Sequence, residues 1–332
     1  MNEWRSLSTF QRALVNRGAS LLSSSGRGGR GLLVLIYHRV LPAPDPILHD
    51  IEHADRFAAQ MELLASCFNV LPLAEAVERL ASRSLPLRAV SVTFDDGYAD
   101  NLSVAAPIMR RFGIRGTVFV ASGYLDGGLM FNDAITEALR QAPGSLDLSD
   151  LGLGMLDLPD VSARRAQMDR LIGALKYRPG EERRGLAMEI LGRAGGGRPS
   201  PMLTTAQLRE LRDNGVEIGA HTATHPILTR VEPDAAREDI AVCKETLQGI
   251  LGEPVRLFAY PNGRPGHDYD ASHVAVAREL GFSAAVSTAW GAASAGCDLF
   301  QLPRVAPWDR TAGRYAARLV ASYRQRSFDT AG

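Results

Sequence analysis

Three times in this chain a helix-like stretch runs into a glycine and then an apolar residue: "MRRFGI" at 109–114, "LRDNGV" at 211–216 and "RELGF" at 278–282. Glycine adopts the left-handed conformation that ends a helix, so each joint marks a helix stop followed by a strand start. Repeated along one chain, such joints dictate βα units and a mostly parallel sheet or barrel. Seven strand candidates follow from the apolar runs at 32–37, 89–94, 116–121, 216–220, 255–260, 283–288 and 299–305. Pro303 makes the last of them an edge or a strand end. Thr204 with Gln207 reads as a capping box opening the helix before the fourth strand.

Residues 126–203 break this rhythm with glycine-rich turns, helices expected near 161–175 and 181–192, and "GGGRPSP". The segment is expected to be a helical insertion on one domain running from 31 to 325, an all-helical subdomain being the competing reading. Residues 1–30 read as an N-terminal arm, a frayed segment or a surface helix, joined to the first strand by "SSSGRGGRG". No sustained apolar stretch precedes a cleavage-type site, so a cytoplasmic location is expected.

The chain of 332 residues balances 37 basic against 37 acidic side chains, which excludes a broad basic surface for nucleic acid. All but two of the cations, Lys176 and Lys244, are arginines; this usage reads as compositional bias and carries no functional weight. Cys67, Cys243 and Cys297 are far apart and odd in number, so neither a disulfide framework nor a thiolate metal site is indicated.

In a parallel α/β barrel the functional groups sit on loops leaving the C-terminal ends of the strands. Those loops carry His38 after the first strand, Asp95-Asp96-Gly97 after the second, His221 and His225 after the fourth, and Pro261-Asn262-Gly263 after the fifth. The seventh strand ends at Arg304. Two histidines four residues apart can reach one ion, as in H-E-x-x-H zinc sites, but the glutamate base of that motif is missing here. At a strand end a glycine lets two adjacent aspartates enter one cavity in different directions. One would complete a His-His-Asp triad and the other would take a proton from water.

Taken in order, "TFDDGYADN" (93–101), "HTATHP" (221–226) and "FAYPNG" (258–263) resemble the polysaccharide deacetylase family, the NodB-homology group of carbohydrate esterase family 4. The segments "YHRVLP", "PNGRPGHDYD" and "LPRVAPWD" resemble a branch associated with exopolysaccharide biosynthesis. The resemblance implies an α/β fold, a distorted (β/α) barrel with seven or eight strands. It implies Asp95 as general base, with Asp96, His221 and His225 holding Zn²⁺ or another divalent transition metal such as Co²⁺ or Ni²⁺. Backbone N–H groups near Pro261 and Asn262 would hold the oxyanion. An N-acetylated saccharide is the implied substrate, with peripheral association with membrane-bound polysaccharide machinery.

Two positions depart from the family pattern. Ala259 stands where an arginine usually orients the base, and Arg304 stands where a histidine usually protonates the leaving amine. Arg304 is therefore expected either to orient Asp95 or to contact substrate, and His38 becomes the candidate proton donor. Trp290 and Trp308 read as ordinary packing rather than sugar platforms, and His267 with Asp268 and Asp270 as a solvated loop. A hydrolase of a non-sugar C–N bond or an O-acetyl ester, and a saccharide-binding protein without turnover, are the alternatives. Asp95 argues against the last, since binding does not need a base.

Overall fold

The computed structural model describes residues 4, 7–24, 29–195, 197 and 199–332. Helix α1 (Thr9–Ser24) leads into β1 (Leu32–Tyr37), short strands β2 (Val40–Leu41) and β3 (Glu52–His53), α2 (Ala54–Cys67), β4 (Asn69–Val70), α3 (Leu73–Ala81) and β5 (Ala89–Phe94). Then come α4 (Ala106–Arg111), β6 (Thr117–Val120), α5 (Phe131–Gln141), the strands β7 (Ser145–Leu148) and β8 (Gly154–Asp157), α6 (Val161–Lys176) and α7 (Gly180–Arg193). The chain returns to βα order with α8 (Thr205–Asp213), β9 (Glu217–Ala220), α9 (Pro233–Leu251), β10 (Leu257–Ala259), α10 (Ala271–Glu279), β11 (Ala284–Val286) and α11 (Ala312–Ser322).

The main sheet has seven strands in the order β1-β5-β6-β9-β10-β11, every pairing parallel, with β4 beside the first half of β5. Six of the seven expected strands form within it. The seventh, 299–305, forms no regular strand. Instead Leu302 bridges Val286 and Val305 bridges Leu35, both in parallel, so the segment ties the last strand back to the first. Pro303, which has no N–H to donate, lies between these two bridges, which accounts for the interruption. Strand β4, too short to read as a strand from "NV", was not expected.

Side chains alternate across the sheet. Leu33, Leu35 and Tyr37 of β1 join an apolar layer with Phe57 and Met61 of α2 and Tyr315 and Leu319 of α11. Leu32 and Val34 point the other way, into a second cluster with Phe119, Leu257, Val286 and Leu302. The N-terminal segment is a surface helix rather than a frayed arm: Ala19 and Ser23 of α1 are buried, and Trp4 meets Tyr315 edge-on at 5.6 Å. Part of its "SSSGRGGRG" joint, residues 25–28, lies outside the described residues.

The segment 126–203 differs from the expectation of a purely helical insertion. The helices expected near 161–175 and 181–192 are α6 and α7, but α5 and an antiparallel hairpin, β7 paired with β8, were not foreseen. Leu129, Ile135, Leu139, Leu148, Leu156, Leu171, Leu175 and Ile190 make an apolar cluster of its own, separate from the barrel layers. The capping box at Thr204 and Gln207 is formed, the Thr204 hydroxyl accepting from the Gln207 N–H at 3.2 Å.

Candidate metal and catalytic site

Asp95, Asp96, His221 and His225 converge at the C-terminal ends of β5 and β9, in a cavity of about 320 Å³ that His38 and Asn262 also line. The turn after β5 makes this possible. Asp96 and Gly97 both have positive φ, 77° and 84°, so the chain reverses within two residues and sends the carboxylates different ways. A side chain on Gly97 would meet Val120 at 3.0 Å, so both its conformation and its surroundings require glycine.

His221 and His225 reach one point through a turn, not a helix. Thr222 and His225 have φ of 61° and 52°, and Asn262 across the cavity has 59°. With Asp96, four of the seven non-glycine residues in this region of backbone space among the described residues lie at the site, where the surrounding structure holds the strain. Asp239 on α9 fixes the turn: its carboxylate accepts from the Ala223 N–H at 2.5 Å, the Thr224 N–H at 3.0 Å and the Thr224 hydroxyl.

The Nδ1–H of His221 donates to the Ala259 carbonyl at 2.8 Å, which leaves Nε2 as the free acceptor facing Asp96. The Nε2 atoms of His221 and His225 stand 3.5 and 3.4 Å from Asp96 Oδ1. That oxygen is buried and has no hydrogen-bond partner among the described residues. An orphaned buried carboxylate oxygen is costly. Ligand atoms bonded at about 2.0–2.2 Å to one cation stand about 3–3.5 Å apart, so these spacings fit a shared ion better than they fit direct hydrogen bonds. Among the described residues these three form the group able to hold one, their ligand atoms all lying within 4.8 Å of one another.

The electrostatics favour a positive charge there. Burial raises the Asp96 pKa, but His221 and then His225 overcome it and hold the group well below the usual carboxylate range. Burial pushes His225 down to about 4, so it presents a neutral lone pair at pH 7. For His221 burial is outweighed by the carboxylates of Asp95 and Asp96, and its pKa rises.

Arg304 grips Asp95 with two parallel hydrogen bonds, Nη1 to Oδ1 at 2.7 Å and Nη2 to Oδ2 at 2.8 Å, both side chains buried. Its Nε donates to the Ser287 carbonyl at 2.8 Å. Burial raises the Asp95 pKa, and the guanidinium, helped by His221, more than reverses this, leaving it below its ordinary value. Of the two roles expected for Arg304, the geometry supports orienting Asp95. The side chain is 0 % exposed, and its Nε, Nη1 and Nη2 all donate within the protein. The bridging segment 299–305 thus brings in the guanidinium, while Ala259, where the family's arginine is usually found, supplies a carbonyl to His221.

His38 is exposed and stands between this cavity and a neighbouring one. Asn262 lines the catalytic cavity, while Pro261 is buried beside it. Trp290 and Trp308, expected as packing, are instead 47 % and 71 % exposed; they face the neighbouring cavity edge-on to each other at 6.5 Å. The His267 loop packs on itself, Nδ1 of His267 being 2.9 Å from Asp268, and Asp270 caps α10.

The sequence reading missed the other wall. Met130, Phe131, Asn132, Ile172, Lys176 and Arg183, all from 126–203, line the catalytic cavity. Their only signal was negative, an irregular stretch placed between the acidic motif at 95–97 and the histidine pair at 221 and 225. Beneath the acidic motif, Arg39 pairs with Asp100 at 2.8 Å and lies over the Tyr98 ring, whose hydroxyl donates to Asp133 of α5 at 3.1 Å.

Fold and site together describe a parallel barrel with an Asp-His-His cluster, Asp96 and His221 buried and His225 half-buried, and a clamped carboxylate at one rim. A polysaccharide deacetylase family model matches residues 82–285, more than half of the chain, and the chain belongs to this family. It is 22% identical over 218 residues to YxkH of Bacillus subtilis (strain 168), which carries a polysaccharide deacetylase name; the match takes in 66% of this chain and about half (51%) of the relative. Among solved structures, the Streptococcus pyogenes deacetylase PplD in complex with acetate superposes with a TM-score of 0.56 at 21% identity, covering 83% of this chain and 92% of that one. IcaB from Ammonifex degensii gives 0.54 at 21% identity, covering 89% and 98%. These two likenesses concern the fold. No helix among the described residues is long and apolar enough to cross a membrane.

Proposed function

We propose that the chain is a metal-dependent hydrolase that removes N-acetyl groups from an N-acetylated saccharide, an exopolysaccharide or its lipid-linked precursor. Residues 31–325 would act as one domain, with 126–203 inserted. The observation that carries this reading is the buried, unpartnered Asp96 oxygen placed about equally far from two imidazole nitrogens.

Asp96, His221 and His225 would hold the ion, Zn²⁺ or a similar divalent transition metal. The chemistry such an ion supplies is polarisation of an acyl carbonyl and acidification of water. Asp95 accepts the proton of the attacking water. With both oxygens held by Arg304 it is ionised at neutral pH and fixed in direction, yet it is a weak base, effective only toward water already made acidic. The Asn262 N–H, at the mouth of β10, donates to the oxyanion, and His38 gives a proton to the departing amine as the C–N bond breaks. Acetate and a free amino sugar leave. Peripheral association with membrane-bound polysaccharide machinery and a cytoplasmic location belong to the same reading, and fractionation of the native protein tests both.

Acetate release from N-acetylglucosamine oligomers, measured on metal-stripped protein with and without added Zn²⁺ or Co²⁺, tests the reaction. Release that needs the ion and is lost in Asp95→Asn is expected. Release from O-acetyl esters alone would move the function to an esterase. Ion binding without release from any acyl substrate would leave a saccharide-binding protein.

A further inference from the structure

The insert brings to the cavity a cation that the hydrolytic chemistry does not use. Arg183 of α7 is buried, 8 % exposed. Its guanidinium lies 4.6 Å over the Phe131 ring and donates through Nη1 to the Lys176 carbonyl at 3.0 Å. Among the described residues it makes no ion pair with a carboxylate, although burying an unpaired charge is expensive. Arg183 stands where the catalytic cavity opens into a wider groove of about 570 Å³, and Tyr124, Phe131 and Lys176 line both spaces with it.

The groove is cationic well beyond Arg183. Arg178 is paired with Glu182 at 2.7 Å and Arg184 with Glu181 at 3.8 Å, but among the described residues Lys176 and Arg230 have no acidic partner and lie against the ring of Tyr177. Three cations without acidic partners among the described residues thus face one groove, in a chain whose formal net charge is zero. A neutral sugar gives such a groove nothing to pair with. A single carboxylate would satisfy one of the three, whereas a phosphate-class dianion offers the charge and the several acceptor oxygens that guanidinium groups bind in pairs.

We propose that this groove binds a phosphate or pyrophosphate group carried by the acetamido saccharide, making the substrate a glycosyl phosphate rather than a neutral polymer. The assignment rests on the deacetylase reading and adds to it the charge of the substrate. The acetamido sugar occupies the cavity at Asp95, and its anionic substituent extends past Arg183 toward Lys176 and Arg230.

The test compares acetate release by metal-loaded full-length protein from N,N′-diacetylchitobiose and from its 1-phosphate, for wild type, Lys176→Ala and Arg230→Ala. Both substituted positions are partly or fully exposed, so folding is not at risk. Wild type is expected to prefer the phosphorylated sugar about tenfold, chiefly through KM, and each variant to shrink that ratio severalfold; added salt should shrink it too. Equal kcat/KM for both sugars, unmoved by the substitutions, would overturn the proposal. So would inorganic phosphate altering turnover of both sugars alike while neither is preferred, since the groove would then take a free anion. If neither sugar releases acetate, the deacetylase reading fails, and calorimetry decides the groove separately. Binding of the 1-phosphate that weakens in Arg230→Ala upholds the groove, and absence of such binding overturns it.

Discussion

The two walls of the catalytic cavity are built on different principles. The barrel wall consists of mostly buried residues at strand ends, strained in backbone and cross-braced by hydrogen bonds to oxygens of Ala259, Asp239 and Ser287. The wall from 126–203 rests on its own apolar cluster and presents a row of cations with few acidic partners. Reaction chemistry needs atoms fixed to within fractions of an ångström, which a closed sheet provides. Choosing among substrates needs a surface that can change without disturbing that geometry, and a segment with a separate core provides it.

If the barrel wall carries the chemistry, the largest effects of substitution belong there. Asp95→Asn should lower kcat by about 10²–10⁴-fold while bound ion per chain, measured by elemental analysis, stays unchanged. Asp96→Asn should instead lose the ion itself, and an undiminished metal content in that variant would break the assignment of the triad.

Next in size is Arg304→Met, which leaves Asp95 buried without its partner. A loss of about 3–5 kcal/mol in denaturant unfolding is expected. Asp95 has a folded pKa below its unfolded one, so its contribution is present above pH ~4 and lost as pH falls through the folded value; in Arg304→Met this acid-side loss should vanish. A variant as stable as wild type would show that the clamp serves catalysis alone.

Asp239→Ala removes the three hydrogen bonds that shape the turn carrying His221 and His225 without touching a ligand atom. Metal affinity is expected to fall about 10–100-fold, read by competition with a chelator.

The smallest effect sits at the seam between the walls. Burial, with the charges of Asp96 and Asp100 adding to it, outweighs Arg39 and pushes Asp133 of α5 up to about 7. A folded pKa above the unfolded one means stability that is fullest below pH ~4 and declines as pH rises toward 7. Relative to Asp133→Asn, metal-free wild type should lose about 1 kcal/mol per pH unit between pH 4.5 and 6.5 in denaturant melts. Parallel stability profiles would show that the seam carries no such charge coupling.

The contrast between the walls also explains what the sequence disclosed. Strand ends announce themselves because an apolar run stops abruptly at polar groups, so Asp95, Asp96, His221 and His225 were readable as one cluster. The convergence of Arg304 on Asp95 was legible only as one of two roles, because a strand expected at 299–305 does not show which group Arg304 meets, and the segment forms two bridges around Pro303 instead of a regular strand. Residues 161–176 and 180–193 have helical composition, and both helices were expected. Helix α5 and the hairpin β7–β8 were not, since a four-residue strand such as "SLDL" is too short to stand out among glycines. Arg183 was hidden for a different reason. Among 35 arginines no single one looks special, and only the packing around it shows that this one is buried with no acid paired to it among the described residues.

The segment 299–305 does two things that are usually separate: it ties β11 to β1, and it delivers Arg304 to Asp95. Asp96, His221 and His225 all precede it in the chain, so on the proposed reading a growing polypeptide can gather its metal-binding groups well before Asp95 is aimed. Activity therefore works as a seal on assembly. On the proposed reading the protein would be able to cut only once the ring is shut, and a molecule caught half made would hold an ion without the means to use it.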